Sequence, residues 1–369
     1  MRGTISLTTG RAARSALAAL AAAASLTGPA RAQQGAPRGA PQGALPASAA
    51  GEPARFLQRY IGLSAEQVEQ ARRGAVVTKV LDSADPEEIA LFGIVAVDAP
   101  REQVVQRVRD LPSFLRVPGR TAFGLFGTPA TPEDARAFVA DPGDVEALRA
   151  CKRGDCDVKM PTPRFDLFRS GVNWSSPDAG AQVSAHVRRV MTEYVTLYRR
   201  GGTAAMVEYG DQKTARRAGE VFASLLAESP YLFDYVPAFH DYLAKYPAAP
   251  LAGVTDAIYW SNDRLPSLRP ILGVTHVSIY APPGAPLTLV SAKQLYASHY
   301  FLGAFTLTTV LDRPEAPGGR GSYYMVVQRM RFDHLPSGGL LNIRGRVTGK
   351  MHEALRAELQ QRKAGFEGK

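Results

Sequence analysis

The clearest pattern in the chain lies toward its C-terminus, where apolar and polar positions alternate with period two over 272–281, 286–311 and 322–334. Such alternation predicts β-strands, and the middle run is long enough for two strands or one bent one. An amphipathic segment follows at about 346–363, in which Val347, Met351, Leu355 and Leu359 recur at every fourth position. That spacing predicts a helix whose apolar stripe packs against the sheet. The expected fold class is α+β: a curved antiparallel sheet gripping a long C-terminal helix, with a cavity between them.

Upstream, structure is expected to begin near Ala54. Phe56, Leu57, Tyr60 and Ile61 mark a short helix, and Ser64-Ala65-Glu66-Gln67 opens a second one with a capping box that Gly74 can terminate. Strands are expected over 75–81 and 89–97. Asp98 and Pro100 then start a helix with Val104, Val105 and Val108 on its apolar side, ended by Leu111-Pro112. The stretch 114–142 is rich in Pro and Gly and yields no order of elements. Between 178 and 200, Val183, Val187, Val190, Met191, Tyr194, Leu197 and Tyr198 follow the period of one helix face, and Gly201-Gly202 stops it. A short strand is expected over 203–209 and a helix from Val221. A break is expected at Pro237, which a continuous helix does not accommodate. No linker isolates this middle segment. A single domain over 54–369 is therefore expected, with a helical elaboration at about 113–254.

Composition adds the compartment. At 369 residues, with 45% apolar and 21% charged residues, the chain is ordinary for a globular protein. Arg2, Arg11 and Arg14 form a positive region, 15–26 is an apolar stretch of small residues, and Ala30-Arg31-Ala32 is a cleavage signal. Residues 1–32 are therefore expected to be a signal peptide, the apolar stretch being too short to cross a hydrocarbon core of roughly 30 Å. The Ala/Gly/Pro/Gln-rich stretch 33–53 reads as a flexible linker. The expected location is periplasmic or extracellular. Losing the four arginines of 1–32 lowers the net charge from +10 to +6. The remaining basic pairs are scattered, so no nucleic-acid footprint is expected, and transient contact with an anionic membrane surface is the most that the charge supports. Cys151 and Cys156, the two cysteines of the chain, are expected to form a disulfide that staples a short loop.

The strand at 89–97, the turn Val97-Asp98-Ala99-Pro100, the helix beginning Arg101-Glu102-Gln103-Val104, the strands from His276 onward and the closing helix together resemble the START-like (SRPBCC, helix-grip) superfamily. That superfamily includes lipid-transfer domains, birch-pollen-allergen-like proteins and polyketide cyclases. The likeness covers about 89–112 and 255–363, roughly a third of the chain, and rests on element order and a loose turn motif. The segment 113–254 is longer and more helical than a minimal domain of this kind needs. The resemblance implies a sheet-and-helix tunnel for lipids, sterols or other apolar molecules, and it carries over no catalytic residue.

Candidate polar handles lie on the strands. His276 and His299 are either hydrogen-bonded sheet histidines, the preferred reading, or a polar grip or acid–base pair. Gln294, Tyr296, Ser298 and Tyr300 alternate onto one face, which either lines the cavity or faces outward. Arg329, Arg331 and Asp333 share a face that either forms ion pairs or holds an anionic head group. The candidate ligand-binding set is His276, Tyr296, His299, Tyr300, Gln328, Arg329 and Arg331. No helix-borne metal spacing, nucleophile elbow, phosphate loop or dinucleotide fingerprint occurs, so no cofactor, metal site or catalytic residue is expected. The expected function is binding or shuttling of an apolar or amphiphilic small molecule. The alternatives are a cavity enzyme of cyclase or hydrolase type using His276, His299 or Arg329, and an interaction protein docking through the central helices.

Overall fold

The computed structural model describes residues 53–265, 268–336 and 342–368, so the expected signal peptide and nearly all of the expected linker lie outside the described residues. The chain opens with α1 (Pro53–Arg59) and α2 (Ala65–Arg72), the latter started by the Ser64–Gln67 capping box. Strands β1 (Val77–Leu81) and β2 (Glu88–Val97) follow, then α3 (Arg101–Arg109) and the short α4 (Leu111–Phe114), which carries Pro112 in its first turn. The unordered Pro/Gly stretch contains a strand, β3 (Arg120–Leu125). The middle of the chain supplies α5 (Pro142–Ala150), α6 (Phe165–Gly171) and the long α7 (Ala179–Gly201). Two two-residue strands, β4 (Glu208–Tyr209) and β5 (Arg216–Arg217), precede α8 (Ala218–Ala227). The strand expected over 203–209 is thus only its last pair, because 202–205 turn as a 3-10 helix. Helices α9 (Pro230–Tyr235) and α10 (Pro237–Lys245) break at Pro237, which starts the second of them.

The C-terminal part is β6 (Val254–Asp263), β7 (Ile271–Tyr280), β8 (Leu287–Ala297), β9 (Phe301–Arg313), β10 (Gly321–Phe332) and α11 (Ile343–Glu367). The expected run 286–311 is two strands. All eight long strands form one open, curved antiparallel sheet in the order β1-β2-β10-β9-β8-β7-β6-β3.

Both faces of this sheet are covered. On the grip face, Leu91, Val95, Val326 and Tyr324 pack with α3, α4 and α11. On the back face, Phe92, Ile94, Phe305 and Trp260 pack with α1, α2 and the central helices. Every residue of β2 is buried, as expected of a strand with cover on both sides, and its sequence is accordingly a nearly unbroken apolar run. The stripe of α7 packs on the back-face core through Val183, Met191, Val195 and Tyr198, and only its Leu197 is exposed. Phe222 of α8 meets Phe305 edge-on at 5.7 Å, and Phe239 of α10 stacks on Tyr280 at 5.4 Å.

The closing helix seats against β2. Leu355 and Leu359 are its buried stripe residues, with Val347 and Met351 packed beside them. They sit over Gly93, where an added Cβ would press into Leu359 and lie 3.3 Å from Leu355 Cδ2. Glycine costs a strand some propensity, and here it provides the space that lets the helix approach. Gly93→Val is expected to destabilise the fold by about 1–3 kcal/mol in urea denaturation despite valine's preference for strands. Adding Leu359→Ala should recover part of that loss, so strict additivity of the two changes would count against this seat.

Candidate functional site

The grip face and α11 do not close on one another. Between them is a cavity of about 960 Å³, near the upper end of the roughly 300–1,000 Å³ common for small-molecule sites. Its floor follows from strand register. Gln328 lies opposite Thr306, Thr306 opposite Ala292, and Ala292 opposite Val277 across four neighbouring strands; one step along, Val326, Thr308 and Val290 form a parallel row. Apart from Gln328 these are small or β-branched side chains, so the floor is low. Tyr259 and Tyr324 bound it as larger walls.

The roof is α11 seen from its other side. While Leu355 and Leu359 fill the seat on β2, Ala354, Ala357, Gln361 and Gly365 turn toward the cavity. Glu358, Arg362 and Phe366 line it as well, and the alanines and glycine among these seven leave space beneath the helix. The side wall is α4 with the turn after it, contributing Leu111, Phe114 and Leu115.

Charge in the cavity lies on its side wall and on α11, away from the floor. Arg120 grips Asp263 through two hydrogen bonds, of 2.7 and 3.2 Å. Arg362 stacks on the Phe114 ring at 3.7 Å, donates to the Phe114 carbonyl oxygen at 3.1 Å and reaches Glu358 at 3.5 Å. Asp110 caps α4 by accepting from the Ser113 N–H. Burial pushes the Tyr324 hydroxyl up to about 12, so it stays a neutral donor and acceptor at physiological pH. Among the described residues, the lining contains no histidine, cysteine or lysine, and no cluster of metal-ligating side chains occurs in the molecule.

Of the seven candidate residues read from the strands, Gln328 stands on this floor. The other six lie elsewhere, each with partners of its own. Arg329 is buried against Glu88, donating at 2.6 Å, and Arg331 pairs with Asp85 at 2.7 Å. Asp333, one residue past β10, pairs with the buried Lys159. His299 meets Asp144 at 3.0 Å. Tyr300 turns the β8–β9 connection with a left-handed backbone (φ 63°), and its hydroxyl accepts from the Arg269 N–H.

Tyr296 donates to the Lys159 carbonyl oxygen at 2.7 Å and packs on Tyr209. It does not share a face with Gln294. The register between β7 and β8 shifts at Val274/Thr275, and this bulge inserts Leu295 and turns Tyr296 to the back face. The single-face alternation expected over 294–300 is lost for that reason.

His276 is held in a buried chain of hydrogen bonds. Its Nδ1 lies 2.9 Å from the Tyr198 hydroxyl, its Nε2 lies 2.9 Å from Asp256, and Tyr242 donates to the same carboxylate at 2.6 Å. Burial holds the imidazole below its usual range, outweighing the opposite pull of Asp256. Burial alone would raise Asp256, but hydrogen bonds from His276 and Tyr242 outweigh it and hold the carboxyl low. A neutral ring with hydrogen on Nε2 donates to Asp256 and accepts at Nδ1 from the Tyr198 hydroxyl. His276, His299 and Arg329 therefore sit in three separate pairs, with Asp256, Asp144 and Glu88, and do not converge on one point.

The α11 face at 354, 357, 361 and 365 and the arginines of the wall were not singled out in the sequence. The signal present was a helix with an apolar stripe on one side and, on another, alanines and a glycine interspersed with Glu358 and Arg362. The Cys151–Cys156 disulfide forms, with a Cα separation of 4.7 Å, and no helix among the described residues is long and apolar enough to cross a membrane. No family model matches the chain, and no curated protein matches it.

One buried cation was likewise not anticipated. Lys293 lies opposite His276 on the back face, 2% exposed, donates to Thr203 Oγ1 at 2.7 Å and sits 3.9 Å from the Phe222 ring. Burial depresses its ammonium to about 7 from an ordinary 10.5. Above the ordinary value the lysine is neutral in both the folded and unfolded chain. As pH falls toward 7, the unfolded chain takes up a proton that the folded chain resists, and stability is lost across that window. Lys293→Met should therefore stabilise the protein by on the order of 3 kcal/mol at neutral pH, with the advantage shrinking toward pH ~10. Urea midpoints of both proteins across that range measure it; a pH-independent difference would show that the folded state does not depress this lysine.

Proposed function

We propose that the chain is an exported binding protein of START-like, helix-grip type that holds or shuttles an apolar or amphiphilic small molecule between the sheet and α11. The cavity of about 960 Å³ carries this reading, because its floor is made of Val277, Val290, Ala292 and Val326 with only Gln328, Thr306 and Thr308 as polar points. A few fixed polar groups in a mainly apolar concavity orient a ligand while burial of its apolar part supplies most of the affinity. The large antiparallel sheet closed by a C-terminal helix supports the kinship. Export is supported by the leader-like N-terminus and is consistent with the disulfide. Binding is preferred over catalysis because the histidines and arginine that could serve as reacting groups are held apart in separate ion pairs.

Extraction of the purified protein followed by mass spectrometry should recover an apolar molecule, and a polarity-sensitive dye should bind the emptied protein. Ala292→Phe, which raises the floor where Ala292 lies between Thr306 and Val277, should weaken dye binding by about tenfold or more with little change in the urea midpoint. A protein that yields no apolar molecule and binds no dye would rule out the proposal.

A further inference from the structure

The cavity wall carries two guanidinium groups with no carboxylate against them. Arg107, on α3, donates only to the Gly365 carbonyl oxygen, and Arg116, in the turn after α4, lies 5.8 Å from the Phe123 ring. Among the described residues neither forms an ion pair. The other two arginines of the lining differ in that respect, since Arg120 is neutralised by Asp263 and Arg362 lies beside Glu358. Arg107 and Arg116 bracket α4, whose Leu111 and Phe114 line the same cavity and whose cap Asp110 accepts from the Ser113 N–H, so two guanidiniums against one carboxylate leave this wall with a net positive charge beside apolar surface.

An unpaired arginine at a cavity wall is exposed enough to remain hydrated, yet it faces a low-dielectric surface that strengthens its attraction for an anion. Guanidinium matches carboxylate and phosphate oxygens with paired hydrogen bonds. We propose that the cavity takes an anionic amphiphile, with a carboxylate or phosphate monoester head at Arg107 and Arg116 and an apolar tail along the Val290, Ala292 and Val326 floor. The inference rests on reading the cavity as the ligand site and adds the class of ligand. The tail supplies the bulk of the affinity, and the two arginines select for charge at the head.

Displacement of a cavity-bound dye from the full chain tests this with four probes: decanoate, decyl phosphate, decanol and acetate. Decanoate and decyl phosphate should bind about tenfold more tightly than decanol, as one or two charge-assisted hydrogen bonds predict. Acetate should fail to displace the dye. The R107Q/R116Q double variant should lose the preference for charge and keep its affinity for decanol, and added salt should narrow the preference in the natural protein. Arg109→Gln, on the same helix but outside the lining, should change nothing. If the double variant also loses decanol, R116Q alone decides, because the Arg116 guanidinium makes no hydrogen bond within the described residues that its loss could disturb; an undiminished preference there overturns the proposal. Equal binding of decanoate and decanol by the natural protein overturns the head-group assignment and leaves the cavity reading intact. Acetate binding as tightly as decanoate overturns the amphiphile. Failure of all probes, and of the dye, removes the cavity reading itself.

Discussion

The approach of α11 to β2 at Gly93 is the contact on which the rest of the architecture depends. A strand residue without a side chain lets Leu355 and Leu359 sink into the grip face, so the helix rests along β1 and β2 at one side of the sheet. The strands beyond, β10, β9 and β8, then lie under the helix's other flank. That flank carries Ala354, Ala357 and Gly365, whose volumes are too small to meet a floor of Ala292, Thr306 and Thr308. The cavity is thus the consequence of a deep seat on one side and short side chains on the other.

The back face follows a different logic. Most of the central helices turn their apolar stripes onto it, so the sheet is the middle layer of three. Burying a sheet face that carries charged and polar strand residues requires partners for them, since an unpaired buried charge costs several kcal/mol. Glu88 serves Arg329, Lys159 serves Asp333, Asp144 serves His299, and Tyr198 with Asp256 serves His276. Several of these partners come from the central segment. Lys293 is the exception, tied to a threonine hydroxyl and two aromatic rings, and its ammonium is correspondingly easy to deprotonate.

Much of the fold was legible because its signals are local. The capping box at Ser64, the period of α7, the break at Pro237 and the stripe 347–351–355–359 each appear in a window of a few residues, and each corresponds to an element. Strand β3 was not legible, since Arg120–Leu125 alternates weakly and earns its place only by pairing with β6. The bulge at Leu295 was hidden too, because nothing in the run 286–311 marks where an extra residue breaks the register.

The candidate site divides along the same line. Period two established which residues of β10 share a face, and so grouped Gln328 with Val326 and Tyr324 and set Arg329 with Arg331. It could not say which of those two faces meets the cavity, because both faces of β10 carry apolar and polar residues together. Only the tertiary structure decided that, by seating α11 on the face of Gly93 and laying the central helices on the other. What the chain determined by itself was its elements and the parity of their side chains, which depend on neighbours in sequence. The position of the cavity, the arginines on its wall and the partners of its buried charges depend on residues that meet only after folding.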